Sequence, residues 1–304
     1  MRHNHFDHID GDPLVIASIS GGKDSAALSL WLTEQEIEHE RVFADTGWEA
    51  QETYDYLRGP LTDKIGPITE VRAARQMVDW IRHKAMFPSR VRRWCTDELK
   101  MKPLFGHLYA RAGETGRPVV NTIGVRASES RARANLPEWD GYSSRRGDFD
   151  IWRPLIRWTE DDVIDIHQRH ALLPNPLYFA GASRVGCWPC IYSRKSEVKF
   201  IASHDPDRMD LIGILESEVT ASAAKRDAAK GISPPSDGPN PRTFFQGRGP
   251  VMGGRNAMPI ADVVEWSKTA RGGRQLLLID EPDPEGGCVR WGMCEHPEIS
   301  EGDE

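Results

Sequence analysis

Residues 14–25 read Leu-Val-Ile-Ala-Ser-Ile-Ser-Gly-Gly-Lys-Asp-Ser, and the fold is decided there. Leu14-Val15-Ile16-Ala17 is an unbroken apolar run of the kind a buried strand shows. Ala26 to Leu32 then follow with the spacing of a helix. Between them, Gly21 and Gly22 let the backbone approach a ligand closely, and the amides that open the helix face an anion. Lys23 adds a point charge, and Ser20 and Ser25 add hydroxyl donors. The loop is built to hold phosphate, with Lys23 expected in solvent beside it. The Gly-x4-Gly-Lys-Ser/Thr spacing of a Walker A loop is absent.

Composition bounds the rest. A chain of 304 residues suits one large domain, or one domain with an appendage. Hydrophobic residues at 39% suffice for a core. No apolar run approaches the roughly 18–20 residues of a membrane span, and Met1-Arg2-His3-Asn4-His5 has no apolar leader segment. A cytoplasmic protein without a membrane partner is the expectation. The net charge of −7 argues against a broad nucleic-acid footprint, whereas arginines concentrated at 72–93 and 126–146 suit a bound nucleotide.

Strands are expected at 14–20, 40–44, 67–71 and 119–124, and helices at 24–36, 49–58, 73–85, 96–112 and 160–170. This alternation predicts an α/β fold with a doubly wound, mainly parallel sheet. Ligands of such sheets sit at the carboxyl ends of the strands, where Ser20, Asp45 and Gly124 fall. Residues 1–200 read as the nucleotide-binding domain and 201–304 as a helical, loop-rich extension. Within the extension, 221–256 turns to Ala, Lys, Gly, Pro and Ser and reads as a flexible segment. A short element is expected at 259–280.

Ser20-Gly21-Gly22-Lys23-Asp24-Ser25 resembles the pyrophosphate loop of the ATP pyrophosphatase superfamily, which splits ATP between its α and β phosphates. Three later segments narrow the resemblance. They are Asp45-Thr46-Gly47 with Glu52-Thr53-Tyr54, Gly124-Val125-Arg126 with Ser130-Arg131, and the long 151–191 stretch. The last contains Arg157-Trp158-Thr159, Leu173-Pro174-Asn175-Pro176-Leu177-Tyr178 and Gly186-Cys187-Trp188-Pro189-Cys190. In combination they resemble the phosphoadenylyl-sulfate (PAPS) and adenylyl-sulfate reductase family. The resemblance covers about residues 14–195.

Trp94-Cys95-Thr96, ahead of Pro103-Leu104, looks like the segment in which iron–sulfur members carry two adjacent cysteines. Here the second position is Thr96, so a four-thiolate cluster needs a replacement ligand. Cys288 or Cys294 can supply it, or Cys187, Cys190, Cys288 and Cys294 form the whole site and leave Cys95 free to react. Four of the five cysteines are thus expected to hold a [4Fe-4S] cluster, with Zn2+ as the alternative. Arg92 and Arg93 are expected to favour a Cys95 thiolate.

The intact loop looks like that of the family's ATP-using relatives rather than the degraded loop usual in PAPS reductases. The resemblance therefore implies ATP-dependent sulfur transfer by adenylation of an acceptor oxygen with release of pyrophosphate. In that scheme the loop amides, Lys23 and Ser25 hold pyrophosphate. Asp24, with Asp45 as second candidate, binds Mg2+, and Arg126 and Arg131 steady the α-phosphate. Cys95 or a cluster-bound sulfide delivers sulfur, drawn from a donor such as a cysteine desulfurase. A nucleic-acid acceptor and a homo-oligomer are further expectations. The alternatives are a thioredoxin-linked PAPS or adenylyl-sulfate reductase, and a non-catalytic nucleotide-sensing subunit of a DNA-modification or defence complex.

Overall fold

The computed structural model describes residues 5–232, 241–245 and 258–269. Six strands form one sheet: β1 (Leu14–Ile19), β2 (Glu40–Asp45), β3 (Thr69–Arg72), β4 (Val119–Ile123), β5 (Trp139–Ser144) and β6 (Gly147–Trp152). Their order is β3-β2-β1-β4-β6-β5, and every pairing except β5 with β6 is parallel. The chain winds outward from β1 on one side and from β4 on the other, so β1 and β4 flank the point where the winding reverses. β1 and β4 are almost wholly buried, which explains the apolar runs Leu14–Ala17 and Val119-Val120 that open them.

The helices are α1 (Lys23–Glu34), α2 (Gln51–Tyr56), α3 (Thr62–Ile65), α4 (Met77–Lys84), α5 (Trp94–Thr96), α6 (Lys102–Thr115), α7 (Glu160–Arg169), α8 (Lys195–His204), α9 (Pro206–Ala229) and α10 (Ile260–Lys268). One sheet face packs Val15 and Ala17 on Leu28, Leu32, Val163 and Ile166 of α1 and α7. The other packs Ile16, Val42 and Val119 on Leu108 of α6. None of the helices among the described residues is long and apolar enough to cross a membrane.

Three features depart from the sequence reading. The hairpin β5–β6 was not expected; its Trp139 and Trp152 are cross-strand partners whose rings stack at 5.1 Å. The helix expected to start at residue 96 starts earlier, because the helical backbone already begins at Trp94. Residues 221–229, expected to open a flexible segment, are the last turns of α9, since alanine and lysine are strong helix formers. The remainder of that segment falls mostly outside the described residues. Residue 200 lies inside α8. Helices α9 and α10 share a core with Trp48, Leu99, Leu177 and Trp188, so they are packed onto the residues that precede them in the chain.

Candidate functional site

The 20–25 loop leaves the end of β1 and becomes the first turn of α1. Gly22 is the N-cap, and no side chain caps the helix. Beyond Lys23, whose amide meets Tyr178, the opening amides of Asp24 and Ser25 can face an anion, with the positive end of the helix dipole behind them. Gly21 has a φ of +74°, and a Cβ there would lie 2.8 Å from Thr53 Cγ2, so only glycine fits. The Ser25 hydroxyl closes the loop on itself: it donates to the Gly22 carbonyl at 2.9 Å and accepts from the Ser20 amide at 3.1 Å.

A distant segment holds this loop in place. Asn175 donates through Nδ2 to the Gly21 carbonyl at 3.3 Å and to Thr53 Oγ1 at 3.2 Å, while its Oδ1 accepts from the Leu177 amide. The Tyr178 hydroxyl accepts from the Lys23 amide at 3.4 Å. His167 of α7 is buried with Nε2 at 3.0 Å from the Lys23 carbonyl, and burial pushes its pKa below the ordinary value. The sequence reading missed all three as site residues. Position on the buried face of α7, beside Val163 and Ile166, was the one local signal for His167.

The charged groups of the loop are paired. Lys23 is not in solvent: it is 8% exposed, its Nζ is 2.8 Å from Glu160 Oε1, and it lies 5.0 Å from the centre of the Tyr178 ring. Asp24 pairs with Arg126, which reaches it from beyond β4. Gly124 makes that approach possible, because a Cβ there would sit 2.4 Å from the Asp24 carbonyl oxygen. Arg131 is exposed, and among the described residues no ion pair ties it to the loop.

Asp45 lies at the end of β2 with 2% exposure. Its Oδ1 accepts from the Gly47 amide at 2.8 Å and the Tyr54 hydroxyl at 2.7 Å, and its Oδ2 is 2.7 Å from Arg72 Nε. Both oxygens are thus engaged within the protein, which suits a turn anchor better than a metal ligand. Glu49 is equally buried and accepts from Thr46 Oγ1 at 2.8 Å.

The cysteine segment docks against this turn. Cys187 and Glu49 form an isolated antiparallel bridge, the Trp188 amide donates to the Trp48 carbonyl at 2.8 Å, and Trp48 Nε1 donates to the Pro189 carbonyl at 2.9 Å. Cys95, Cys187 and Cys190 come close enough to act on one another's charge. Lys100, unmarked in the sequence reading, hydrogen-bonds Cys187, and its charged form is favoured chiefly by Cys187 and also by Glu49. Burial pushes the Cys187 thiol up to about 11, a rise that Lys100 only partly opposes. Cys95 also moves up, through burial, so Arg92 and Arg93 do not make it a thiolate. Arg93 lies instead over the Tyr192 ring.

These thiols do not make the expected cluster by themselves. A [4Fe-4S] cluster or a structural Zn2+ needs four ligands. Three cysteines gather here, and among the described residues no three His, Cys, Asp or Glu side chains are arranged to hold a metal ion. Cys288 and Cys294 lie outside the described residues.

The loop, the 124–126 turn and the 175–190 segment thus converge at the carboxyl ends of the strands. Residues 14–193 match the phosphoadenosine phosphosulfate reductase domain. The chain belongs to that family. Among its relatives is an uncharacterized 37.8 kDa protein of Escherichia phage 186, 30% identical over 336 residues that cover 92% of this chain and 96% of the phage protein. An adenosine 5'-phosphosulfate reductase of Mesorhizobium japonicum is 31% identical over 181 residues, covering 58% of this chain and 65% of that enzyme. The phosphoadenylyl-sulfate reductase of Candida auris, solved as a phosphate complex, superposes with a TM-score of 0.45 at 17% identity, covering 58% of this chain and 82% of that one.

Proposed function

We propose that this member of the PAPS reductase family binds ATP at the 20–25 loop and cleaves it between the α and β phosphates. An acceptor oxygen attacks the α-phosphorus, the bond to the bridging oxygen of the β-phosphate breaks, and pyrophosphate leaves. A sulfur nucleophile then displaces AMP from the acceptor. The observation that carries this reading is the uncapped start of α1 behind Gly21 and Gly22, flanked by Lys23 and Arg126. Amides, an ammonium and a guanidinium converge where charge develops on a departing pyrophosphate, and such positioning and charge stabilisation are what phosphoryl chemistry needs.

Mg2+ needs only one or two protein carboxylates beside phosphate oxygens. Asp24, in the first turn of α1, is the carboxylate of the loop able to hold it, and the ion would neutralise phosphate charge there. Ser25 maintains the shape of the loop. Arg126, once engaged by phosphate, orients the adenylyl group.

Release of pyrophosphate from ATP, followed with the wild-type protein and Lys23→Ala, tests the reading. Loss of at least about a hundredfold in the variant is expected, the usual scale for removing one preorganised charge donor. Equal turnover by the two proteins removes the loop from the mechanism. A second reading, reduction of a sulfonucleotide, is favoured by the thiols gathered at Cys95, Cys187 and Cys190. Sulfite formation from PAPS with reduced thioredoxin, without pyrophosphate release from ATP, decides for it.

A further inference from the structure

The cations of the loop are matched by carboxylates one for one. Lys23 Nζ faces Glu160 Oε1 at 2.8 Å, and Arg126 faces Asp24. Glu160 and Glu129 also act on Arg126, so these charges form one group. Before a ligand arrives, the site offers a polyanion no uncompensated positive charge from Lys23 or Arg126. A phosphate that contacts Lys23 directly must take a donor position that a carboxylate already occupies.

The two carboxylates differ in how easily they withdraw. Asp24 is fixed to the first turn of α1, has a short side chain and is 17% exposed against a buried Arg126. Glu160 is the first residue of α7, after the Thr159 cap, and its longer side chain is 31% exposed. It can rotate toward solvent without disturbing the cap, which rests on Thr159 and Asp162.

We infer that Glu160 is a displaceable counter-ion of Lys23, so that it sets the affinity of the loop for phosphate-bearing ligands. This rests on the proposal that the loop binds the phosphates of ATP. Glu160 holds Lys23 in an ordered position while the site is unliganded. When pyrophosphate or the β- and γ-phosphates of ATP enter, the ammonium transfers from carboxylate to phosphate, and the carboxylate moves to water. Ligands without phosphate leave the pair intact.

The test is equilibrium binding of inorganic pyrophosphate, ATP and adenosine in Mg2+-free buffer to wild type, Glu160→Gln, Lys23→Ala and the double variant. Glutamine keeps the size of the side chain and removes the charge. Glu160→Gln is expected to bind pyrophosphate and ATP about twofold to fivefold more tightly, the scale of a partly exposed ion pair. Adenosine binding is expected to be unchanged. In the Lys23→Ala background the gain from Glu160→Gln is expected to vanish, because no ammonium remains to be released. Equal or weaker binding of pyrophosphate by Glu160→Gln, with wild type binding normally, overturns the counter-ion role alone. Failure of wild type to bind either pyrophosphate or ATP overturns the proposed function, and the counter-ion role with it.

Discussion

Gly124 and Asp24 touch across the top of the sheet: a methyl group on Gly124 would stand 2.4 Å from the Asp24 carbonyl oxygen. The contact is backbone against backbone, so neither side can rotate away. Gly124→Ala must push the 124–126 turn off the start of α1 and pull Arg126 away from Asp24. A loss of about 1–3 kcal/mol of stability is expected, with weaker ATP binding. Thermal unfolding and nucleotide titration of the variant measure both, and a wild-type melting temperature with wild-type affinity would contradict the contact.

Asn175 spans two walls of the site. Its removal leaves the Gly21 carbonyl and the Thr53 hydroxyl without their buried partner. Asn175→Ala is expected to cost about 1–3 kcal/mol and to raise the apparent Kd for ATP, since the loop loses its distant support. Asn175→Asp is the sharper probe, because it places a charge where a carbonyl oxygen already points. A variant that loses stability but keeps full affinity for ATP would show that the loop needs no such support.

His39 makes stability depend on pH. Its Nδ1 donates to the Ile37 carbonyl at 2.8 Å, and its Nε2 accepts from Ser29 at 2.8 Å. Burial, assisted by nearby Arg41, lowers its pKa from 6.5 to about 4. The unfolded chain therefore takes up the proton first as pH falls. The contribution of this group is complete above pH 6.5 and is lost progressively down to about pH 4. The loss amounts to about 3 kcal/mol. Urea unfolding at intervals from pH 7.5 to 4 is expected to show a shallower acid slope for His39→Gln, and identical slopes would exclude a buried neutral imidazole.

The sequence made the centre of the sheet visible because a strand buried on both faces has to be apolar throughout. β1 meets it over Leu14–Ala17 and β4 at Val119 and Val120, while Ser18 and the buried Asn121 and Thr122 are hydrogen-bonded inside the sheet, Ser18 to Asn121 and Thr122 to the Ile16 carbonyl. The β5–β6 hairpin does not. β5 reads Trp-Asp-Gly-Tyr-Ser-Ser and lies at the edge, partly in water, so its polar residues masked the pairing. The turn from β1 into α1 was legible for a similar reason, since two glycines follow the apolar run directly and a helical spacing follows them. Its counterparts were not. Glu160 and Asn175 reach the loop through the folded chain, and neither carries a local sign of what it faces.

Cys187 offers a test of the thiol group. With its pKa raised to about 11, it is protonated at neutral pH. Alkylation by iodoacetamide, followed by mass spectrometry of the 187–190 peptide, is expected to be slow at pH 7.5. The rate is expected to keep climbing about tenfold per pH unit beyond pH 9, where an ordinary thiol levels off. A rate already level by pH 8 would mean that Lys100 outweighs burial.

The bond from Asn175 to Gly21 joins residues 154 positions apart. A ribosome adding about 5–20 residues per second takes on the order of 10–30 s to make the later residue after the earlier one. Throughout that interval the glycine turn exists in the nascent chain without the asparagine that fixes it. Completion of the 20–25 loop thus becomes a late event in the birth of the protein, reached only after the 175–178 segment has emerged and docked on it.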